Sequence, residues 1–449
     1  MKALLITYHF PPMLGCCALR TGAVARALAA KGCECHILTA AIPRDHPVYT
    51  VDAQTKPSDP LWHLYPISDG RAGRFLQRLR QNRFRHKPSS AGSAELAHLP
   101  QSSRTTNLLR ALAFPDSKVS WIPRAHGTVQ SLLKHHRFDL IYSFGYPWSC
   151  HVVGWAAQRR SGTPWVADYA DPWTLNPEVQ AFPAWRKRLD FFVESRLLRR
   201  ASAVVVATPE SQAFLSIVFG PEVERRGYVA RVAQFPPDEY DSSPKLLPQH
   251  FQIAFTGLFH ATRQPYSFYE ALEDFANRPD IRVCLAGLID EHFKDYARKH
   301  GLEPLIHHLG RLGRQQTIEL QMTSHILLSF GWPGGLQVPC KIYEYFAARR
   351  PLLHIAGDPQ DPAAALVRKY RRGLVVPNNP QAIRDGLRTL YALWVAGKLE
   401  PQFDLSPLDE FCLPRSLDGL EQAFREVIPH VQQAAVLPGS NAVAAGLPS

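Results

Sequence analysis

Three turns in this 449-residue sequence join a glycine to groups that can hold charge or move a proton. The first is Thr7-Tyr8-His9-Phe10-Pro11-Pro12-Met13-Leu14-Gly15, between an apolar run and a helical stretch. Its amides suit a phosphate, and Gly15 lets the backbone approach one closely. His9 rides on the same turn, where it either touches an acceptor or phosphate or is a packed loop residue. The second turn runs from Phe255 through Gly257 to His260 and Arg263. Arg263 has the planar geometry to clamp a diphosphate, the alternative being an exposed surface arginine. The third, Trp332 to Gly335, leads into Val338-Pro339-Cys340-Lys341-Ile342-Tyr343-Glu344-Tyr345-Phe346. Pro339 suits a first helical turn, and Lys341 adds positive charge there. Glu344 lies one turn deeper, either accepting from a ribose diol or solvated on the helix surface. A fourth candidate, Asp171, follows the apolar run Trp165-Val166-Ala167. It is placed to orient or partly deprotonate a hydroxyl, unless Asp171-Pro172 serves only to open a turn.

The elements needed to position these residues can be read from periodicity. Residues 3–8 read as a buried strand, 19–30 as a helix and 34–39 as a strand, a βαβ unit. The alternation continues with strand 139–142, helix 151–160, strand 164–167, helix 185–200 and strand 203–207. Turn formers then crowd residues 235–250, after which strands at 252–255, 282–286, 326–328 and 351–355 alternate with helices at 266–275, 290–300 and 341–348. The pattern predicts an α/β protein of two Rossmann-like, doubly wound parallel-sheet domains, 1–240 and 250–414. Residues 415–435 are expected to form a helix able to pack back on the first domain, with 436–449 a flexible tail. The glycine turns all follow strands, so they fall on the carboxyl edges where such sheets bind ligands.

Composition narrows the partners. The formal net charge of +12 favours an anionic partner: nucleic acid, a phosphorylated ligand or acidic lipid. A basic stretch at 68–105 reads as an insertion, and Phe75, Leu76 and Leu79 share a face among its arginines. Such a segment either lies on anionic headgroups or is a solvated loop. The basic clusters Arg186-Lys187-Arg188 and Arg199-Arg200 would support membrane contact. No recognisable nucleic-acid module accompanies the charge, so nucleic acid is not expected. The eight cysteines contain no CxxC pair and read as reduced thiols. Cys33-Glu34-Cys35-His36 comes nearest to a zinc signature, but strand alternation points neighbours to opposite faces, so no metal site is expected. The opening apolar run is too short for a signal peptide, and no stretch approaches the ~18 apolar residues of a membrane span. A cytoplasmic protein, peripheral on the inner membrane face, is the expectation.

Taken in order, these motifs resemble those of family 4-type glycosyltransferases with the two-domain GT-B fold, in particular bacterial polysaccharide-biosynthesis enzymes. Tyr8, Pro11, Pro12, Gly15 and Arg20 resemble the opening pattern, and Asp168 to Trp173 an internal Arg-Asp-x-Trp segment. Gly257 with Arg263 resembles the donor diphosphate loop, and Val338 to Tyr345 the Pro-x-Lys-x-x-Glu-Tyr donor helix. Leu336 stands where the first of an acidic pair is usual, and Ala170 where arginine is usual. The resemblance implies an interdomain cleft in which the first domain binds a saccharide or lipid-linked acceptor. The second would bind a nucleoside-diphosphate sugar through Gly257, Arg263, Pro339, Lys341 and Glu344. It further implies transfer with retention, no metal and no cofactor beyond the sugar nucleotide, in envelope or exopolysaccharide synthesis. Arg263, Lys341 and the amides near Gly15 would stabilise the leaving diphosphate, roughly a few kcal/mol each. Asp171 and His9 are the catalytic candidates. The alternatives are a nucleotide-sugar epimerase of the same architecture and a non-catalytic nucleotide- or glycan-binding protein.

Overall fold

In the computed structural model the described residues are 1–13, 15–41, 59–69, 111–232, 239–240, 249–259, 264–332, 336–412 and 415–428. The basic stretch 68–105 lies almost wholly outside them, as do His260, Arg263 and the tail 436–449.

Two parallel sheets carry the chain. The first contains seven strands in the order β3-β2-β1-β4-β5-β6-β7. They are β1 (Lys2–Ile6), β2 (Glu34–Ala40), β3 (Trp62–Ile67), β4 (Leu140–Gly145), β5 (Trp165–Tyr169), β6 (Ala203–Val206) and β7 (Gly227–Val229). The second contains six in the order β10-β9-β8-β11-β12-β13. These are β8 (Phe251–Thr256), β9 (Ile281–Ala286), β10 (Ile306–Gly310), β11 (Ile326–Phe330), β12 (Leu352–Ala356) and β13 (Gly373–Pro377). Both orders reverse direction beside the first strand of the domain, leaving a crevice at the carboxyl edge of each sheet.

The central strands are mostly apolar because helices cover both faces, their few polar side chains such as Ser143, Asp168 and Gln252 being buried. In β1, Leu4 and Ile6 enter one core layer and Ala3 and Leu5 the other. The second sheet is likewise buried between two layers, one containing Ile253, Val283 and Leu328, the other Ala254 and Leu327. The helices that matter for the site are α1 (Cys16–Ala29), α2 (Ile122–His135), α3 (Ser149–Ser161), α4 (Ala184–Arg200), α5 (Pro209–Phe219), α6 (Arg314–Met322) and α7 (Lys341–Ala347). A last helix, α8 (Asp418–Val427), packs on the first sheet, not the second. Its Leu420, Ala423 and Phe424 join Leu5, Tyr142 and Val205 in one core layer, and a buried Leu or Phe contributes about 1.5–3 kcal/mol. The approach is close: a Cβ on Gly419 would lie 2.0 Å from the Val229 carbonyl oxygen.

Among the described residues no helix is long and apolar enough to cross a membrane.

Candidate active site

The first-domain wall begins at the turn after β1. Gly15 sits just ahead of α1 with φ 106°, a left-handed value that strains any side chain. No side chain caps α1, so its first amides are not taken up by a cap. Thr7 Oγ1 and Thr21 Oγ1 both donate to the His9 carbonyl, at 2.5 and 2.7 Å, fixing the turn against the helix. The His9 ring packs edge-on to Tyr8, with centroids 5.1 Å apart. Burial, reinforced by the Lys118 charge, lowers its pKa to about 3, so the imidazole is neutral at pH 7.

Arg20, one turn further along α1, is completely buried. Its Nε and Nη2 donate to the two carboxylate oxygens of Asp168 at 2.8 and 3.0 Å, and its Nη1 donates to the Arg231 carbonyl at 2.9 Å. Tyr142 donates to the same carboxylate at 2.7 Å. The motif arginine is therefore a pin joining α1, β4, β5 and the chain leaving the first domain.

The turn after β5 carries Asp171 and is held from behind by α4. Glu194 accepts from the Trp173 and Thr174 amides at 3.0 and 2.9 Å, and Asp190 accepts from the Trp173 indole at 3.1 Å. Trp173 stacks on Trp148 with planes 4° apart. Asp171 itself accepts no hydrogen bond from a described residue, and burial raises its pKa to about 6. Arg186 corrects the sequence reading of a basic surface cluster. It is buried, bound to Asp190 at 2.9 Å and to the Ala111 carbonyl at 2.5 Å.

The second-domain wall is a charge cluster around Glu344. Lys341 Nζ donates to Glu344 Oε2 at 2.6 Å, Gln321 to the same oxygen at 3.2 Å, and Arg314 pairs with Oε1 at 3.2 Å. Arg314 also binds Glu239, at 2.5 Å. Burial pushes the Glu344 carboxyl up, but Lys341 and Arg314 more than offset it and the group ends below its ordinary range. Burial likewise opposes the Lys341 charge, and Glu344 overrides it, holding the ammonium protonated. Glu344 was expected to stand open to a ribose; instead both its oxygens are engaged and its side chain is only 13% exposed.

Gly257 closes β8, its amide donating to the Ala286 carbonyl at 2.9 Å. The next strand end presses on it: a Cβ on Gly287, at φ 134°, would fall 1.8 Å from the Gly257 oxygen. Only glycine allows that approach. Tyr345 Oη accepts from the Thr256 amide at 3.0 Å, tying α7 to the end of β8. Pro339 supplies the carbonyl that receives the Ile342 amide at 2.9 Å and so opens α7.

The two walls meet. Thr208 and Ser211, at the start of α5, donate to the Leu336 carbonyl at 2.8 and 3.0 Å. Where an acidic pair would place a carboxylate, this chain offers a backbone oxygen to the opposite domain. Cys16 and Cys340 face each other across the cleft and their thiols perturb one another, and Cys16 also feels the Asp171 charge. Gly15 and Asp171 are thereby brought to Pro339, Lys341 and Glu344. His9 lies on the same wall as Gly15, beside Lys118. Sequence reasoning missed Arg314, whose signal is the Gly310-Arg-Leu-Gly313-Arg314 turn at a helix start, and the buried Asp190 and Glu194 of α4.

Residues 15–229 match the family model described as Glycosyl transferase 4-like domain. No curated protein matches by sequence. Among solved structures, HepE of Anabaena in complex with UDP and glucose aligns at TM-score 0.58 and 17% identity, covering 96% of this chain and 100% of that one. Sucrose-phosphate synthase of Thermosynechococcus elongatus aligns at TM-score 0.61 and 14% identity, covering 96% and 97%. A UDP-N-acetylglucosamine 2-epimerase aligns at TM-score 0.55 and 11% identity, covering 98% and 99%. The two sheets and the cleft between them are those of the GT-B fold.

Proposed function

We propose that this protein of GT-B fold, residues 15–229 of which match a glycosyl transferase 4-like domain, is a glycosyltransferase that moves a sugar from a nucleoside-diphosphate donor to a saccharide or lipid-linked saccharide. In this reading the transfer retains anomeric configuration, needs no metal or cofactor, and serves envelope or exopolysaccharide assembly. The observation that carries it is the pairing, across one cleft, of a first-domain carboxylate with no hydrogen-bond donor among the described residues and a cation cluster on the second domain.

Asp171 accepts the proton, or a hydrogen bond, from the acceptor hydroxyl as the new glycosidic bond forms. Lys341 and Arg314 lie where the departing diphosphate gains charge, with Arg263 expected beside them. Glu344 receives the ribose hydroxyls once the nucleotide displaces its present donors. HepE holds UDP-glucose in a solved complex, which makes UDP-glucose the first donor to try.

Calorimetry of UDP, GDP, dTDP, ADP, CMP and pyrophosphate against wild type and Glu344→Ala tests the donor site. One nucleoside diphosphate should bind selectively. Glu344→Ala should weaken it about ten- to a hundred-fold, the worth of charge-assisted ribose hydrogen bonds. Pyrophosphate should bind the variant at least as well, because Lys341 and Arg314 lose their carboxylate partner. Equal nucleotide affinity in the two proteins would remove Glu344 from the ribose site. Donor consumption is then followed with and without saccharide acceptors. Release of an epimer without acceptor would establish the epimerase reading, and binding without consumption the non-catalytic one.

A further inference from the structure

Strand alternation argues against Cys33 and Cys35 joining His36 at a metal, but it also places Glu34 and His36 on one face of β2. The parallel register sets His63 of β3 directly beside His36. The three side chains converge: Glu34 Oε1 lies 3.0 Å from His36 Nε2 and 3.2 Å from His63 Nε2. All three donor atoms lie within 4.8 Å of one another.

We propose that Glu34, His36 and His63 form a binding site for a divalent transition metal of the zinc class, remote from the sugar-transfer cleft. A tetrahedral ion with bonds of about 2.0–2.1 Å holds its ligand atoms about 3.3 Å apart. The two measured separations are within a few tenths of an ångström of that value, so small side-chain rotations admit the ion. Two imidazoles and a carboxylate suit zinc, nickel or copper and disfavour magnesium and calcium, which prefer oxygen ligands.

The surroundings support the same atoms. Tyr65 Oη lies 2.9 Å from His36 Nδ1 and can accept its proton, leaving Nε2 as the metal-binding nitrogen. Lys2 Nζ holds Glu34 Oε2 at 3.0 Å and leaves Oε1 to the histidines. His136, the residue following α2, brings a third imidazole, its ring centroid 4.5 Å from that of His36. It stands at a helix C-terminus, where the backbone dipole favours a cation.

Lys2 and Glu34 begin their strands, so the cluster sits at the amino edge of the first sheet, opposite the cleft. An ion there would clasp the edge strand β3 to β2 and to the end of α2.

The test is titration of the EDTA-treated, full-length protein with Co²⁺ and then Zn²⁺. The expected signature is a set of visible d–d bands of tetrahedral intensity, without the near-ultraviolet band of thiolate ligation, abolished by one equivalent of Zn²⁺. Zn²⁺ should raise the melting temperature and Mg²⁺ should not. His63→Ala, at a partly exposed position, should weaken Zn²⁺ at least about tenfold and remove the thermal shift, with UDP affinity unchanged. His36→Asn should do the same if it folds. A thiolate band, no Zn²⁺ binding at micromolar concentration, or undiminished binding in His63→Ala would overturn the proposal.

Discussion

Asp171 is a carboxylate that the fold brings to the cleft without giving it a hydrogen-bond donor among the described residues, and burial sets its pKa near 6. A group that must accept a proton works in its ionised form, so kcat/KM should fall as pH drops through about 6. Asp171→Asn should lower kcat by about 10²–10⁴-fold, flatten that acidic limb and leave UDP affinity within twofold. A pH–rate profile for both proteins decides the matter, and an acidic limb that persists in the variant would assign it to another group. His9 cannot supply that limb, because burial keeps it neutral down to about pH 3. In the proposed transfer it would serve only as a neutral hydrogen-bonding partner, the alternative being a packed loop residue.

The element that governs Asp171 is α4, whose inner face carries the buried charges Arg186, Asp190 and Glu194 at successive turns. Glu194 fixes the Trp173–Thr174 backbone, and burial raises its pKa from 4.5 to about 7 despite those two hydrogen bonds. A carboxyl with a raised folded-state pKa stabilises the fold when protonated and loses that contribution as pH rises through the folded value. The melting temperature should therefore decline between about pH 4.5 and pH 7, and Glu194→Gln should make the decline shallower while lowering kcat by loosening the Asp171 turn. An unchanged slope in differential scanning calorimetry would show that Glu194 does not titrate in that window. Much of this frame was legible in the sequence: β1, β2, β5, β6 and β8 are buried on both faces and so read as short apolar runs. Missed were the four edge strands, β3 containing Pro66, the three-residue β7, β10 with its two histidines, and β13 ending in Pro377, since edge strands lose the apolar signature. Glycine turns and the α7 motif announced the site locally. Arg314 and the Arg20–Asp168 pairing were hidden because their partners are distant in sequence, and Arg186 misled because a buried, paired arginine looks identical to a solvated one.

At the scale of the whole molecule, the cleft wall that carries Asp171 and the protein surface are two sides of one helix. While α4 turns its charged face inward to hold the Asp171 loop, it exposes Trp185, Leu189, Phe191 and Phe192, the last 52% accessible. Lys187, Arg188 and Arg199 line the same hollow as Phe191 and Phe192. Apolar rings set among cations have the chemistry that an anionic bilayer would recognise, taking the rings into its headgroup region and pairing the cations with lipid phosphates. A lipid-linked acceptor held there would need to travel only across α4 to reach the cleft. The protein should accordingly cosediment with vesicles containing phosphatidylglycerol and much less with pure phosphatidylcholine, and added salt should weaken the association. Lys187→Glu, Arg188→Glu and Arg199→Glu together should reduce vesicle affinity at least about a hundredfold, since each cation near the surface contributes about 1 kcal/mol. UDP affinity should be unchanged, because none of the three belongs to the second-domain wall around Glu344. Equal binding to neutral vesicles, or a triple variant that still cosediments, would separate the acceptor from the membrane and leave the exposed rings of α4 to another role.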